Sequence, residues 1–177
     1  MLLRSTKPCA YTLGGAALAV ALVLLASDGH AQGSAAAASG PFASLAGSWS
    51  GSGTIKTSSG ASERIRCQAT YLAPGGGSTL QQNLRCASDS YKFEVNSNVA
   101  YNGGAVSGTW NEATRNVGGN VSGRVTGEQI QVRVESLGFS ASMSVATRGD
   151  RQSVGIWPQG TDVKEVSIDL ARSKRSR

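Results

Sequence analysis

The sequence predicts an all-β protein, a single closed antiparallel up-and-down β-barrel of roughly eight to ten strands, preceded by a cleaved signal peptide. Apolar and polar residues alternate with a period of two through most of the chain after residue 45, and helical spacing is nearly absent. Turn sequences rich in Gly and Asn interrupt this alternation about every ten residues. A long meander of strands that are apolar on one face buries that face by closing into a barrel, which also leaves no exposed edge. A two-sheet sandwich is the alternative fold.

The N-terminal region has the three parts of a secretory signal peptide. Two basic residues precede an apolar run over residues 13–26, and Gly29 and Ala31 are the small residues of a cleavage site. The run is shorter than the ~20 residues of a membrane-spanning helix, which disfavours an uncleaved anchor. We therefore expect residues 1–31 to be removed and the protein to be exported to the periplasm or the extracellular space.

Cleavage at this position changes the chemistry open to the protein. It removes His30, the only histidine, and Cys9, so that the mature chain keeps Cys67 and Cys86. A serine nucleophile usually needs a histidine base, and zinc needs closely spaced His or Cys ligands. We therefore predict no catalytic residue, no metal site, no cofactor and no enzymatic activity.

The chain divides into four predicted segments. They are a signal peptide (1–31), a flexible N-terminal segment (32–44), the barrel domain (45–171) and a basic disordered tail (172–177). The tail holds four of the basic residues behind the formal net charge of +6, so the barrel itself is nearly neutral. It also lacks the clustered basic residues and stacking aromatics of a nucleic-acid-binding face, and we predict no nucleic-acid partner. The tail is expected to give at most a weak electrostatic attraction to a membrane.

Six runs show the alternation most clearly. They are residues 64–71, 79–86, 91–101, 129–135, 139–147 and 164–171. The breaks between the runs carry Gly, Asn, Ser and Pro, which suit hairpin turns because Gly and Asn accept positive φ at little cost. These breaks lie at residues 58–60, 74–77, 102–104, 126–128, 148–150 and 158–160.

The two remaining cysteines lie on the inward faces of successive predicted strands. Cys67 and Cys86 face each other if Ala73 pairs with Leu80 across the intervening turn. In an oxidising compartment a disulfide is the default state, and closing a loop of about 20 residues contributes on the order of 3 kcal/mol. A reactive thiol pair is the alternative, but the flanking arginines are predicted to face the opposite side.

The first predicted strand carries the motif Gly47-x-Trp49-x-Gly51-x-Gly53. Its beginning resembles the first-strand signature of lipocalins and their calycin relatives, and its longer form is similar to the opening of nitrobindin-type haem barrels. The resemblance implies a calycin-like barrel in which Trp49 plugs the closed end. The glycines would let the strand bend or let a neighbouring strand pack over it.

Two departures from these families concern the expected ligands and contacts. Nitrobindin-type proteins ligate haem iron through a histidine, which the mature chain lacks, so only a Tyr or Met ligand would remain. In lipocalins a late arginine packs across the signature tryptophan. Arg172 is the candidate for that role, with Arg148 and Arg151 as rivals.

Aromatic side chains on the predicted inward faces are the candidate ligand-binding residues. They are Tyr71, Phe93, Tyr101, Trp110 and Phe139. Small-molecule sites are concave and mostly apolar, which suits these rings. Small inward residues leave volume and favour a cavity over a core filled by side chains, which is the alternative. These small residues are Ala69, Gly108, Gly123 and Ala141.

These observations predict a secreted or periplasmic non-enzymatic binding protein that carries or senses a small apolar ligand in the barrel. The first alternative is a protein-binding module such as an inhibitor of a secreted protease. Small envelope protease inhibitors resemble this plan, and residues 32–41 would then enter the target's cleft. The second alternative is an outer-membrane β-barrel, which the small number of aromatic residues and the basic tail disfavour.

Overall fold

The computed structural model describes residues 39–174, which form ten antiparallel strands closed into one barrel. Each strand pairs with the next in sequence, and β1 pairs with β10 to close the cylinder. The strands are β1 (Gly47–Thr57), β2 (Ser62–Leu72), β3 (Thr79–Ala87), β4 (Lys92–Asn102), β5 (Ala105–Glu112), β6 (Val117–Thr126), β7 (Gln129–Ser136), β8 (Phe139–Arg148), β9 (Arg151–Gln159) and β10 (Val163–Arg172). The predicted all-β barrel is thus confirmed. The predicted signal peptide lies outside the described residues.

Strict alternation of burial shows why the chain closes on itself. In β2, Ile65, Cys67, Ala69 and Tyr71 are buried and the residues between them are exposed or partly exposed. The other strands show the same alternation of buried and exposed residues less strictly. Their apolar faces also point to the barrel axis. A two-sheet sandwich would have unpaired sheet edges, whereas here every strand pairs with two neighbours and β10 pairs with β1 over nine positions.

The disulfide forms where the alternation predicts it. Cys67 lies directly opposite Cys86 in the β2–β3 ladder, with their Cα atoms 4.2 Å apart and their sulfur atoms bonded. This is the register that pairing of Ala73 with Leu80 requires. The bond is consistent with an oxidising, exported environment.

A short N-terminal segment covers one end of the barrel, and we call residues 40–46 the N-terminal cap. The Phe42 side chain is only 1% exposed, and its N–H donates to Gly77 O in the β2–β3 turn at 3.1 Å. A Cβ on Gly77 would lie 2.5 Å from the backbone nitrogen of Ala43, so glycine is needed for this contact. Residues 40–44 belong to the segment predicted to be flexible, but they are packed on the barrel.

The outer face of the barrel is polar. Only three large apolar side chains are well exposed within residues 39–174, and they are Leu72, Leu137 and Trp157. Apolar side chains directed inward and polar ones directed outward are the reverse of the pattern in lipid-embedded barrels. The part of the chain that the structure describes has no helix of the length and apolarity needed to span a membrane. Strand β10 extends to Arg172, one residue beyond the predicted end of the barrel domain.

Candidate functional site

The signature strand anchors the covered end of the barrel. Trp49 is 1% exposed, and its indole N–H donates to Leu45 O of the N-terminal cap at 2.8 Å. The Arg172 guanidinium carbon lies 4.3 Å from the centre of the Trp49 ring. Arg172 therefore takes the position that the resemblance assigns to a late arginine, whereas Arg148 pairs with Glu128.

Gly51 and Gly53 of the motif lie directly against the backbone of β10. A Cβ on Gly51 would lie 1.9 Å from Asp169 O, and one on Gly53 would lie 2.0 Å from Ser167 O. Such distances leave no room for any side chain. The glycines therefore allow strand β10 to pack closely over β1 at the point of closure.

A cavity of about 160 Å³ lies inside the barrel. Its walls are mainly apolar side chains of β3 to β9, and Phe42 and Leu45 of the N-terminal cap also line it. The volume is below the ~300–1,000 Å³ of sites for drug-sized ligands, so the cavity suits a small molecule.

Four of the five predicted aromatic residues line this cavity, namely Tyr71, Phe93, Trp110 and Phe139. The Trp110 and Phe139 rings pack against each other with their centroids 5.7 Å apart. Tyr101 is not part of the lining. Its ring lies against Phe42 of the N-terminal cap, with the centroids 6.5 Å apart in an edge-on arrangement.

The small residues have a different role from the one that the sequence suggests. Of the four, only Ala141 lines the cavity. A Cβ on Gly108 would lie 2.0 Å from Asn98 O, and one on Gly123 would lie 2.1 Å from Gln131 O. These glycines admit a neighbouring strand at close range and do not leave space at the centre.

Polar side chains form a group within the apolar lining. Tyr71, Gln82, Ser97 and Gln152 all line the cavity. The first three lie in one row across the sheet, because Gln82 is opposite Tyr71 on one side and Ser97 on the other. The pattern of apolar residues does not mark Gln82, Ser97 or Gln152, although all three occupy inward positions in the two-residue alternation.

Two of these polar residues are already bonded to each other. The Tyr71 hydroxyl donates to Gln152 Oε1 at 2.7 Å, and Gln152 Nε2 donates to Thr147 Oγ1 at 3.1 Å. Burial raises the pKa of the Tyr71 hydroxyl above its usual range, so that this group stays a neutral phenol. Gln152 is 1% exposed, and the pair acts as a fixed part of the wall.

The lining residues do not fit a haem of the nitrobindin type. The iron ligand of that type is a histidine, and the single histidine of the chain, His30, lies in the predicted signal peptide. Tyr71 is a poor replacement because its proton is committed to Gln152 and ionisation is disfavoured. Within residues 39–174, no group of three or more His, Cys, Asp or Glu side chains is arranged to hold a metal ion.

One carboxylate is buried outside this cavity. Glu112, at the end of β5, is 7% exposed and accepts hydrogen bonds from the N–H groups of Glu94, Thr114 and Arg115 and from the Thr114 hydroxyl. Burial alone would raise its pKa, but these hydrogen bonds outweigh burial and lower the pKa to about 2. Through these hydrogen bonds, Glu112 links the β5–β6 turn to the start of β4.

Comparisons with known proteins support the fold. No protein-family model matches the chain, and no curated protein sequence matches it. The solved structure of Rv2717c from M. tuberculosis superposes with a TM-score of 0.58 at 15% identity, covering 74% of this chain and 94% of that one. The S-type phycobiliprotein lyase CPES from Guillardia theta superposes with a TM-score of 0.53 at 10% identity, covering 76% and 92%. The ten-stranded barrel and these neighbours fit a calycin-like, lipocalin-like fold, and at such identities the likeness concerns the fold alone.

Proposed function

We propose that the protein is an exported, non-enzymatic binding protein that carries or senses a small apolar molecule inside its barrel. The observation that carries the proposal is the cavity of about 160 Å³, which is walled by apolar side chains and a few polar ones. Binding sites for small molecules combine an apolar enclosure with a small number of placed polar groups. A barrel filled by its own side chains would have no such space.

The cavity also favours this proposal over that of a protease inhibitor. An inhibitor of the kind considered above would use a free N-terminal segment and would need no internal space. Here Phe42 and Leu45 are buried and form part of the cavity wall. The segment from residue 40 onward is therefore packed as part of the barrel wall. Residues before 39 lie outside the described part of the chain.

The test is direct binding of naphthalene, a neutral and fully apolar fluorescent probe, followed by titration at neutral pH. We expect saturable binding with one site per protein. Val132 lines the cavity, and Gln131 is the exposed residue beside it in β7. V132F should reduce naphthalene affinity at least about tenfold by filling space, whereas the matched control Q131F should not change it. Absence of saturable binding, or equal loss in both variants, would refute the proposal.

A further inference from the structure

We infer that the ligand carries a neutral hydrogen-bonding group, such as a hydroxyl or carbonyl, and that Gln82 and Ser97 bind this group. The inference rests on the proposed function, because it assigns the chemistry of the molecule inside the same cavity. It concerns two side chains that neither the motif nor the aromatic pattern singles out.

Gln82 and Ser97 are neighbours across the β3–β4 ladder. Their Cα positions are directly opposed, and both side chains line the cavity. Directly opposed residues on one face of a sheet have Cβ atoms about 5 Å apart, so that a single ligand group can contact both side chains. Ser97 is also opposed to Trp110, which lines the cavity beside it.

The hydrogen-bonding capacity of these two residues is unused. Within residues 39–174, neither the Gln82 amide nor the Ser97 hydroxyl has a side-chain hydrogen-bond partner, whereas Tyr71 and Gln152 are bonded to each other. No fully buried side-chain nitrogen or oxygen of the described residues lacks a partner, so the free groups are those that the cavity leaves accessible. A polar group at the surface of an otherwise apolar cavity is satisfied by water or by a ligand.

The uncharged lining indicates which kind of polar group the ligand carries. Among the described residues, 39–174, no Asp, Glu, Lys, Arg or His side chain lines the cavity. A carboxylate or ammonium group placed there would lose its hydration without gaining a counter-charge, which is strongly unfavourable. An amide and a hydroxyl both donate and accept, and together they match a neutral oxygen function on an apolar body.

Three probes of nearly the same shape test this inference. Naphthalene has no polar group, 2-naphthol has a neutral hydroxyl, and 2-naphthoate is ionised at pH 7. We expect 2-naphthol to bind about five- to tenfold more tightly than naphthalene, and 2-naphthoate to bind at least tenfold more weakly than 2-naphthol. The naphthol oxygen can hydrogen-bond with the Gln82 amide and the Ser97 hydroxyl, which naphthalene cannot do.

The variants Q82L and S97A assign the preference to these residues. In the double variant, we expect 2-naphthol and naphthalene to bind within about twofold of each other, while naphthalene affinity is unchanged or increased. The control Q81L changes the exposed neighbour of Gln82 on the outer face and should keep the full preference. Retained naphthalene binding also verifies that the variants are folded.

These binding measurements distinguish failure of the inference from failure of the proposed function. If naphthalene does not bind the unmodified protein, the proposed function fails. If naphthalene binds but 2-naphthol has no advantage, or if the double variant keeps that advantage, the apolar carrier stands and the assignment of Gln82 and Ser97 is overturned. Tighter binding of 2-naphthoate than of 2-naphthol would overturn the exclusion of charged ligands.

Discussion

The guanidinium of Arg172 lies over the indole ring of Trp49, 4.3 Å from its centre, and joins the last strand of the barrel to the first. The same guanidinium donates hydrogen bonds to the carbonyl oxygens of Ser44 and Ala46, and its Nε donates to Asp150 Oδ1 at 2.8 Å. One side chain therefore connects β10, the N-terminal cap, the signature tryptophan and the β8–β9 turn.

Replacing Arg172 should destabilise the barrel. R172A removes the cation–π contact and the charge-assisted bonds to the N-terminal cap, and we expect a loss of about 2–3 kcal/mol in the free energy of unfolding. Urea unfolding followed by tryptophan fluorescence measures this loss. R172K should recover less than half of the stability that R172A loses, because lysine lacks the planar guanidinium with its several N–H donors. The control R151A changes the exposed first residue of β9 and should cost less than about 0.5 kcal/mol, and an equal cost would contradict the assigned role.

A methyl group at Gly51 should be tolerated poorly. In G51A the added Cβ would meet Asp169 O at 1.9 Å, so that β10 would have to move away from β1. We expect at least about 3 kcal/mol of destabilisation, since core overpacking costs ~1–3 kcal/mol even where side chains can shift. Thermal unfolding of G51A and of S50A, its exposed neighbour, provides the comparison. A G51A protein as stable as S50A would show that the two strands are not so close.

Removal of the disulfide should lower stability without changing the fold. The bond links residues 19 positions apart, and the double variant C67A/C86A should unfold about 3 kcal/mol more easily. The barrel hydrogen bonds remain, so the far-ultraviolet circular dichroism spectrum should be unchanged. A reducing agent should destabilise the unmodified protein by a similar amount and leave the double variant unaffected. An effect of reductant on the double variant would point to another cause.

Glu112 should give the protein a specific sensitivity to acid. Its pKa is about 2 in the folded state against an ordinary value of 4.5, so the ionised form stabilises the fold above pH 4.5. This contribution, up to about 3 kcal/mol, is lost as the pH falls from 4.5 towards 2, because the unfolded chain binds the proton first.

The test is to measure the free energy of unfolding between pH 7 and pH 2 for the unmodified protein and E112Q. E112Q should be less stable at pH 7, and the difference should shrink as the pH falls to 2. E135Q, which alters an exposed ion pair, should change stability by less than about 1 kcal/mol at pH 7. A difference between E112Q and the unmodified protein that is independent of pH would contradict the low pKa.

The fold could be predicted because its main determinant is local. Alternation of period two fixes which face of each strand is buried, and the two cysteines then fix the β2–β3 register. The N-terminal cap could not be predicted in this way. Phe42 and Leu45 are its two large apolar residues, and two such residues form no periodic pattern that marks their burial.

The site could be predicted only in part. The aromatic lining residues are predictable because they are both inward and apolar, whereas a pattern defined by apolar residues does not mark polar side chains at inward positions. Position alone would have found Gln82 and Ser97, each of which lies two residues from an inward apolar neighbour. The cavity is lined by residues of β2 to β9 and of the N-terminal cap, so its volume is a property of the closed barrel and not of any one strand.

The pairing of β1 with β10 joins residues more than a hundred positions apart, such as Gly51 and Leu170. Every other ladder is a hairpin between consecutive strands and can form locally, but this one forms only when β1 and β10 come together from opposite ends of the barrel sequence. Until then two strand edges stand open to water and to other chains. We therefore expect pairing of the first strand with the last to be the folding step that competes with aggregation.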